Sequence, residues 1–208
     1  VPAVQNKIRT TAEEELSKFL KTNVTIGKIE INPLSELALY DVRIPDQQGG
    51  KMVTVDKIGA GMSLPNLVFF QRFVFNYAEL IGLDGRITKA TPDSQMNIQF
   101  IIDALKPKDK NKPPTKFDVK LDAVVLRKSS LSFDVLSEPV GSGKFDKNHI
   151  RLQNINSDIR IPDLRNDYFT FDIRRFAFSE HSGFHLNNLT ALVHIDKRNI
   201  TAKRLKIE

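Results

Sequence analysis

Polar and apolar residues change their rhythm at Val24. Before it, Val4, Ile8, Ala12, Leu16, Phe19 and Leu20 recur at helical spacing. Residues 2–20 are therefore predicted to form an amphipathic helix with that stripe on one face. Pro2 suits the first turn, where its missing N–H leaves no bond unmade. After Val24 the period is two and β-branched residues rise, which predicts strands over most of the remaining chain. One variant of alternation recurs: apolar, x, apolar, x, x, apolar, x, apolar, with a polar residue or Gly at every x. It starts at Val24, Val53, Phe184 and Ile200. Composition alone predicts about 0.7 such cases in a chain this long, so the excess carries information. Looser versions start at Leu37, Val119 and Phe171. Two consecutive outward residues, such as Gly27-Lys28 or Asp56-Lys57, return the apolar side chains to one face only if the strand slips phase. A β-bulge is the expected device, and repeated bulges predict a sheet that curls.

A longer echo overlies this pattern. VTVDKIGAGMSLPNL (53–67) aligns with IRLQNINSDIRIPDL (150–164), FVFNYAELIG (73–82) with FTFDIRRFAF (169–178), and DVRIPD (41–46) is nearly identical to DIRIPD (158–163). Duplicated units stack to share a continuous core. Between the copies, Ile98, Ile101, Ile102 and Leu105 have helical spacing after Asn97, which can cap. The predicted fold is mainly β with a few helices: a curled, bulged antiparallel sheet or groove built from two related units, with an N-terminal amphipathic helix. Residues 1–105 hold the helix, the first β unit and the short helix. Residues 106–116 form a Lys/Pro-rich linker, and 117–208 form the second β unit, cut short at its C-terminal end.

Composition narrows the function. With 208 residues, 40% hydrophobic and 27% charged, the chain is of globular type. It holds no apolar run long enough to span a bilayer, and a targeting or anchoring segment is expected to precede Val1. The net charge is +6, but Lys106, Lys108, Lys110, Lys112 and Lys116, against Asp109, place most of it in the linker. That segment, KPKDKNKPPTK, offers no aromatic ring on which a base could stack, so no nucleic-acid partner is expected. Cysteine is absent, which removes disulfides and thiolate metal sites.

No catalytic set stands out. His181 and His185 are four apart, but Ser182 and Gly183 between them in a strand-rich region argue against the helix that zinc-binding spacing needs. GSGK (141–144) lacks the other positions of a phosphate loop and reads as a turn. Asp163 and Asp167 read as turn residues, and Ser129-Ser130 lacks a nucleophile elbow. No cofactor, no metal and no enzymatic activity are expected.

Three stretches carry a family resemblance. VPAVQNKIRTTAEEELSKFLKTNVTIGKIEI (1–31) resembles the segment that follows the inner-membrane anchor in TamB/AsmA-like translocation and assembly module proteins of Bacteroidetes type. ELALYDVRIPDQQG (36–49) is similar to that family's next strand pair and acidic turn. NIQFIIDAL, a Lys/Pro linker and KFDVKLDAVVLRKSSLSF (97–133) are similar to its next block. Where relatives often have an Asn-Gly turn, this chain has Lys128-Ser129-Ser130.

The resemblance implies the N-terminal periplasmic region of an inner-membrane-anchored protein of outer-membrane biogenesis. Such a protein moves phospholipid between membranes or assembles outer-membrane proteins with a BamA-like partner. The residue pattern is compatible with a lipid conduit, because an unbroken apolar groove spares an acyl chain from water at ~0.8 kcal/mol per CH₂. Val119, Leu121, Leu131, Phe133, Phe171 and Ile173 are the candidate groove residues. The rival expectation is a structural or chaperone-like scaffold that binds outer-membrane protein strands by β-augmentation at an open sheet edge.

Overall fold

The computed structural model describes residues 2–32, 36–62, 73–105, 117–141, 145–165, 168–196 and 198–208. The linker at 106–116 lies outside them, as do residues 63–67 of the sequence echo.

The helix α1 (Pro2–Leu20) comes first. Ile8, Ala12, Leu16 and Phe19 pack against the buried cluster and Leu20 is part of it. An ion pair at i, i+4 docks the helix. Arg9 bonds Glu13 at 2.8 Å, the Ile26 N–H donates to Glu13 Oε1 at 2.7 Å, and Arg9 donates to the Ile26 carbonyl at 3.2 Å. Two orphan backbone groups ahead of the first strand are thereby satisfied.

The strands are β1 (Lys28–Asn32), β2 (Glu36–Pro45), β3 (Lys51–Met62), β4 (Phe73–Ile81) and β5 (Asp84–Lys89). After the helix α2 (Gln99–Leu105) come β6 (Phe117–Val135), β7 (His149–Arg165), β8 (Tyr168–Glu180), β9 (His185–Leu186), β10 (Leu189–Asp196) and β11 (Ile200–Ile207). All join one sheet in the order β1-β2-β3-β4-β6-β7-β8-β10-β11. Strand β5 continues the place of β4 between β3 and β6, and β9 pairs with β8 ahead of β10.

The sheet is mixed, where the sequence led us to expect antiparallel pairing throughout. Strands β4 and β5 run parallel to β6, with Ile81 beside Arg127 and Asp84 beside Ser130. Parallel neighbours need a long crossover, and α2 lies on the chain between β5 and β6. Helix α2 starts at Gln99 rather than at the expected cap. The Asn97 amide is engaged elsewhere: it accepts from the Thr88 N–H and donates to the Arg86 carbonyl, both at 2.9 Å, and so bonds β5. Ile98, Phe100, Ile101 and Ala104 pack on the core, whereas Ile102 of the expected stripe is exposed.

The phase slips have a simpler origin than separate bulges in the first half of the sheet. Gly27, Asp41, Asp56, Gly82 and Lys128 lie side by side on five neighbouring strand positions, and pairing continues above and below them without offset. Within this row Asp41, Gly82 and Lys128 take left-handed backbone angles, with φ of 53°, 66° and 50°. A residue in that region reverses the side-chain alternation of its strand, which accounts for the slips at Asp41, Gly82 and Lys128; Gly27 and Asp56 lie at the same level without a left-handed angle. Glycine is required at two places in the row. A Cβ on Gly27 would meet Asp41 Cβ at 2.9 Å, and one on Gly82 would collide with the Asp56 carboxylate. The neighbouring like charges of Asp41 and Asp56 therefore lean away from each other, each over a glycine. From β6 onward the slips become true offsets, between Leu126 and Leu131 against β7, between Gln153 and Asn156 against β8, and between Thr190 and Leu192 against β11.

The buried cluster sits at one end of the sheet, and Val125, Val135, Ile155, Leu186 and Ala191 are buried outside it. Val24, Ile26, Ile29, Leu37, Leu39, Val42, Met52, Val53, Val55 and Ala60 form one cluster with Leu20, under residues of α1 and α2.

Candidate functional site

The apolar side of the sheet continues well past that covered core. Cross-strand partners project to the same face, so the pairing maps it directly. Leu131 and Phe133 of β6 face Leu152 and Ile150 of β7. Ile159 of β7 faces Ile173 of β8, and Ser157 faces Phe176. Ile173 and Phe171 face Ala191 and Val193 of β10, and Ile195 faces Ile200 of β11. Four of the six expected groove residues, Leu131, Phe133, Phe171 and Ile173, thus share this face and are half-buried. The side chains of Val119 and Leu121 lie outside the described parts; only their backbone, in β6, is placed.

Burial on this face falls toward the edge. Ala191 and Leu186 are buried, but on β11 Ile200, Leu205 and Ile207 are 76%, 54% and 61% exposed. Residues of α1 and α2 pack on the buried cluster of β1 to β3. Aromatic rings line the centre of the face. Phe169 and Phe171 are stacked at 6.4 Å, Phe176 and Phe178 meet at 5.4 Å, and Phe178 meets Phe184 at 6.0 Å. Ser157 stands out among them: it is fully buried and its hydroxyl has no hydrogen-bond partner.

The opposite face is polar and laced with ion pairs. Arg127 bonds Asp158 at 2.6 Å and Arg151 bonds Asp134 at 2.8 Å. Arg174 reaches Asp172 at 3.4 Å, and the Tyr40 ring lies beneath both Lys28 and Lys57. Exposed pairs of this kind contribute little stability each, but they keep this face wetted and fix which side of the sheet is apolar. An open cavity of about 700 Å³ lies on β2 and β3, lined by residues that include Thr25, Asp41, Arg43, Thr54 and Asp56. Its charges are of both signs and face solvent.

One histidine is built in. His149 Nδ1 lies 2.8 Å from Asp134 Oδ1 and its Nε2 lies 3.0 Å from the Glu138 carbonyl. Both partners are acceptors, so the arrangement favours the doubly protonated ring. The bond to Asp134 raises the His149 pKa above its ordinary value. Burial pushes the Asp134 carboxyl up, but the bonds from Arg151 and His149 outweigh it and hold the group low. Sequence reading gave His149 no role, because its partner is fifteen residues away on the neighbouring strand.

His181 and His185 do not converge. His181 lies on the turn after β8, and His185 in β9 is bonded to Ser179 at 2.9 Å. Among the described residues no three His, Asp or Glu side chains gather closely enough to hold a metal ion. Only Gly141 of GSGK and the backbone of Asp163 are among the described parts; Asp167 lies outside them. Ser129 is buried and its hydroxyl donates to the Arg127 carbonyl at 3.1 Å, while Ser130 bonds Asp84 at 3.0 Å. Ser130 thus ties β6 to β5, whereas the Ser129 hydroxyl bonds within its own strand. Among the described residues no helix is long and apolar enough to cross a membrane. No family model matches the sequence, and no curated protein matches it significantly.

Proposed function

We propose that this chain is a periplasmic segment of an inner-membrane-anchored TamB/AsmA-like protein of outer-membrane biogenesis, and that it forms part of a conduit for phospholipid between membranes. The observation that carries this reading is the apolar face of β6 to β11, where half-buried side chains lie among buried ones at the centre and the edge is bare. Acyl chains would lie on Leu131, Phe133, Phe171 and Ile173, shielded from water without any bond being made or broken. A BamA-like partner would act through other parts of the parent protein.

The pairing also supports two related, curling units. Met62 pairs with Phe75 in the first unit. The sequence alignment would set Ile159 against Phe171 in the second, and the observed partner is Ile173, two residues along. A shift of two keeps the same face. The left-handed residues at Asp41, Gly82 and Lys128 and the later offsets are what a bending sheet needs.

The scaffold reading asks for an unguarded edge. Strand β11 is fully exposed, but it carries Lys203, Arg204 and Lys206, a left-handed residue at Arg204 and an offset against β10. These are the devices that discourage strand addition, so the conduit is favoured.

The test is native mass spectrometry of the protein purified from bacterial membranes. Phospholipid is expected to co-purify, and Phe133→Asp or Phe171→Asp is expected to release it while circular dichroism stays native. A folded protein free of lipid in every preparation would sink the conduit.

A further inference from the structure

His149 opens β7 with its side chain only 8% exposed, and it stands between two hydrogen-bond acceptors. Nδ1 lies 2.8 Å from Asp134 Oδ1 on β6, and Nε2 lies 3.0 Å from the Glu138 carbonyl in the connection from β6 to β7. An ionised carboxylate and a carbonyl cannot donate, so both contacts are hydrogen bonds only while both ring nitrogens carry a proton. We infer that His149 is a pH-sensitive latch: its imidazolium holds the connection to the sheet at Glu138, and loss of the Nε2 proton releases it.

The two acceptors decide which proton leaves. An N–H donated to a carboxylate is charge-assisted and stronger than one donated to a neutral carbonyl. Asp134 is kept ionised, since Arg151 bonds the same oxygen at 2.8 Å. The Nδ1 proton therefore stays with Asp134 and the Nε2 proton passes to water. Nε2 then turns a lone pair toward the Glu138 oxygen, and two acceptors at this distance repel. Among the described residues no other group bonds that carbonyl. It regains a partner only by turning to water.

The connection can give way at this point. On one side the Leu136 and Ser137 N–H groups donate to the Lys89 and Ala90 carbonyls at 2.8 and 3.1 Å. On the other, the Gly141 N–H donates to Asp146 Oδ2 at 2.9 Å. Between these anchors the Glu138 N–H turns back to the Val135 carbonyl at 3.0 Å, Pro139 has no N–H to donate, and Val140 is 75% exposed. The imidazole ties this stretch to β7.

Charged groups approach the ring from each bordering element. The bond to Asp134, then the Glu138 carbonyl and the charge of Asp146, raise the His149 pKa, against burial, which lowers it. The Arg151 cation of β7 is bonded to Asp134. Strand β5 brings Arg86 and Lys89 beside Ser132 and Val135 of β6. The turn after β8 brings His181 beside Arg151, and the connection itself adds Lys147 and the Glu138 carboxylate. The latch is therefore closed below the ordinary histidine value of about 6.5 and opens as pH rises through the higher folded value. It does not rest on the conduit reading.

The test is NMR of the nitrogen-labelled protein titrated from about pH 5.5 to about pH 9. The His149 ring and the amides of Val140 and Gly141 are expected to share one midpoint above about 6.5. The backbone order parameter of Val140 should fall from about 0.85 to below about 0.6 across it. Asp134→Asn removes the carboxylate, so the ring and amide midpoints should fall together. His149→Phe cannot donate, so Val140 should be loose at every pH. Amides that stay rigid while the ring loses its proton would overturn the latch, as would an amide midpoint that stays put in Asp134→Asn while the ring's moves. Val140 as rigid in His149→Phe at about pH 5.5 as in the unsubstituted protein would overturn it too, whatever the titration shows.

Discussion

The same eight-residue pattern meets opposite fates at the two ends of the sheet. The stretches that begin at Val24 and Val53 bury most of their apolar residues beneath α1 and α2. The stretch that begins at Ile200 has identical spacing, yet every residue of β11 is exposed. Pattern decides which face a side chain joins. Whether that face is covered depends on a second element, whose position the strand itself does not encode.

The sharpest way to break the comparison is to truncate one residue at each end. Ile26→Ala, in the covered cluster, is expected to cost about 2–5 kcal/mol in urea denaturation. Ile207→Ala, on β11, should cost under about 0.5 kcal/mol. Equal losses would mean that β11 is buried in solution.

The left-handed residues of the aligned row give a smaller contrast. Gly82 has φ of 66° and no room for a Cβ beside Asp56, so Gly82→Ala should destabilise by about 1–3 kcal/mol. Lys128 takes the same backbone region with a side chain already present, so Lys128→Gly should change stability by less than about 1 kcal/mol. Thermal melts of the two variants, read side by side, would test whether the left-handed geometry at these two positions is needed for stability.

The smallest effect is electrostatic. The folded-state pKa of His149 is raised, so its bond to Asp134 contributes fully below the unfolded value of about 6.5 and fades as pH rises through the folded value. The folded-state pKa of Asp134 is lowered, so its contribution is present above about 3.9 and fades as pH falls through its folded value. The pair should therefore be strongest between those limits. NMR titration of the His149 ring should give a midpoint above the ordinary histidine value of about 6.5; a midpoint at or below it would contradict the bonding described.

Much of the fold was legible in the residues, for local reasons. Strand phase follows from alternation, and Leu131, Phe133, Phe171 and Ile173 could be assigned to one face because each strand must turn its apolar side chains the same way. Long-range facts were not legible. The parallel pairing of β4 with β6 depends on where a crossover lands. Asn97 carries an amide equally suited to capping a helix or bonding a strand, and only the nearness of β5 decides. The exposed apolar residues between β6 and β7 did leave a signal. Leu136, Val140 and Phe145 fall within a stretch of Pro, Gly and Ser that reads as a turn, and apolar side chains in a turn lack a core to enter.

The aligned slip from Gly27 to Lys128 also limits how such a sheet can evolve. A single inserted or deleted residue within one strand would move its kink out of line with both neighbours and set apolar side chains against polar ones on one side of the break. Changes in strand length should therefore be confined to the turns, or occur in several strands together. The row behaves like a crease in folded paper, where one sheet can be extended at its margins but the fold line must stay straight.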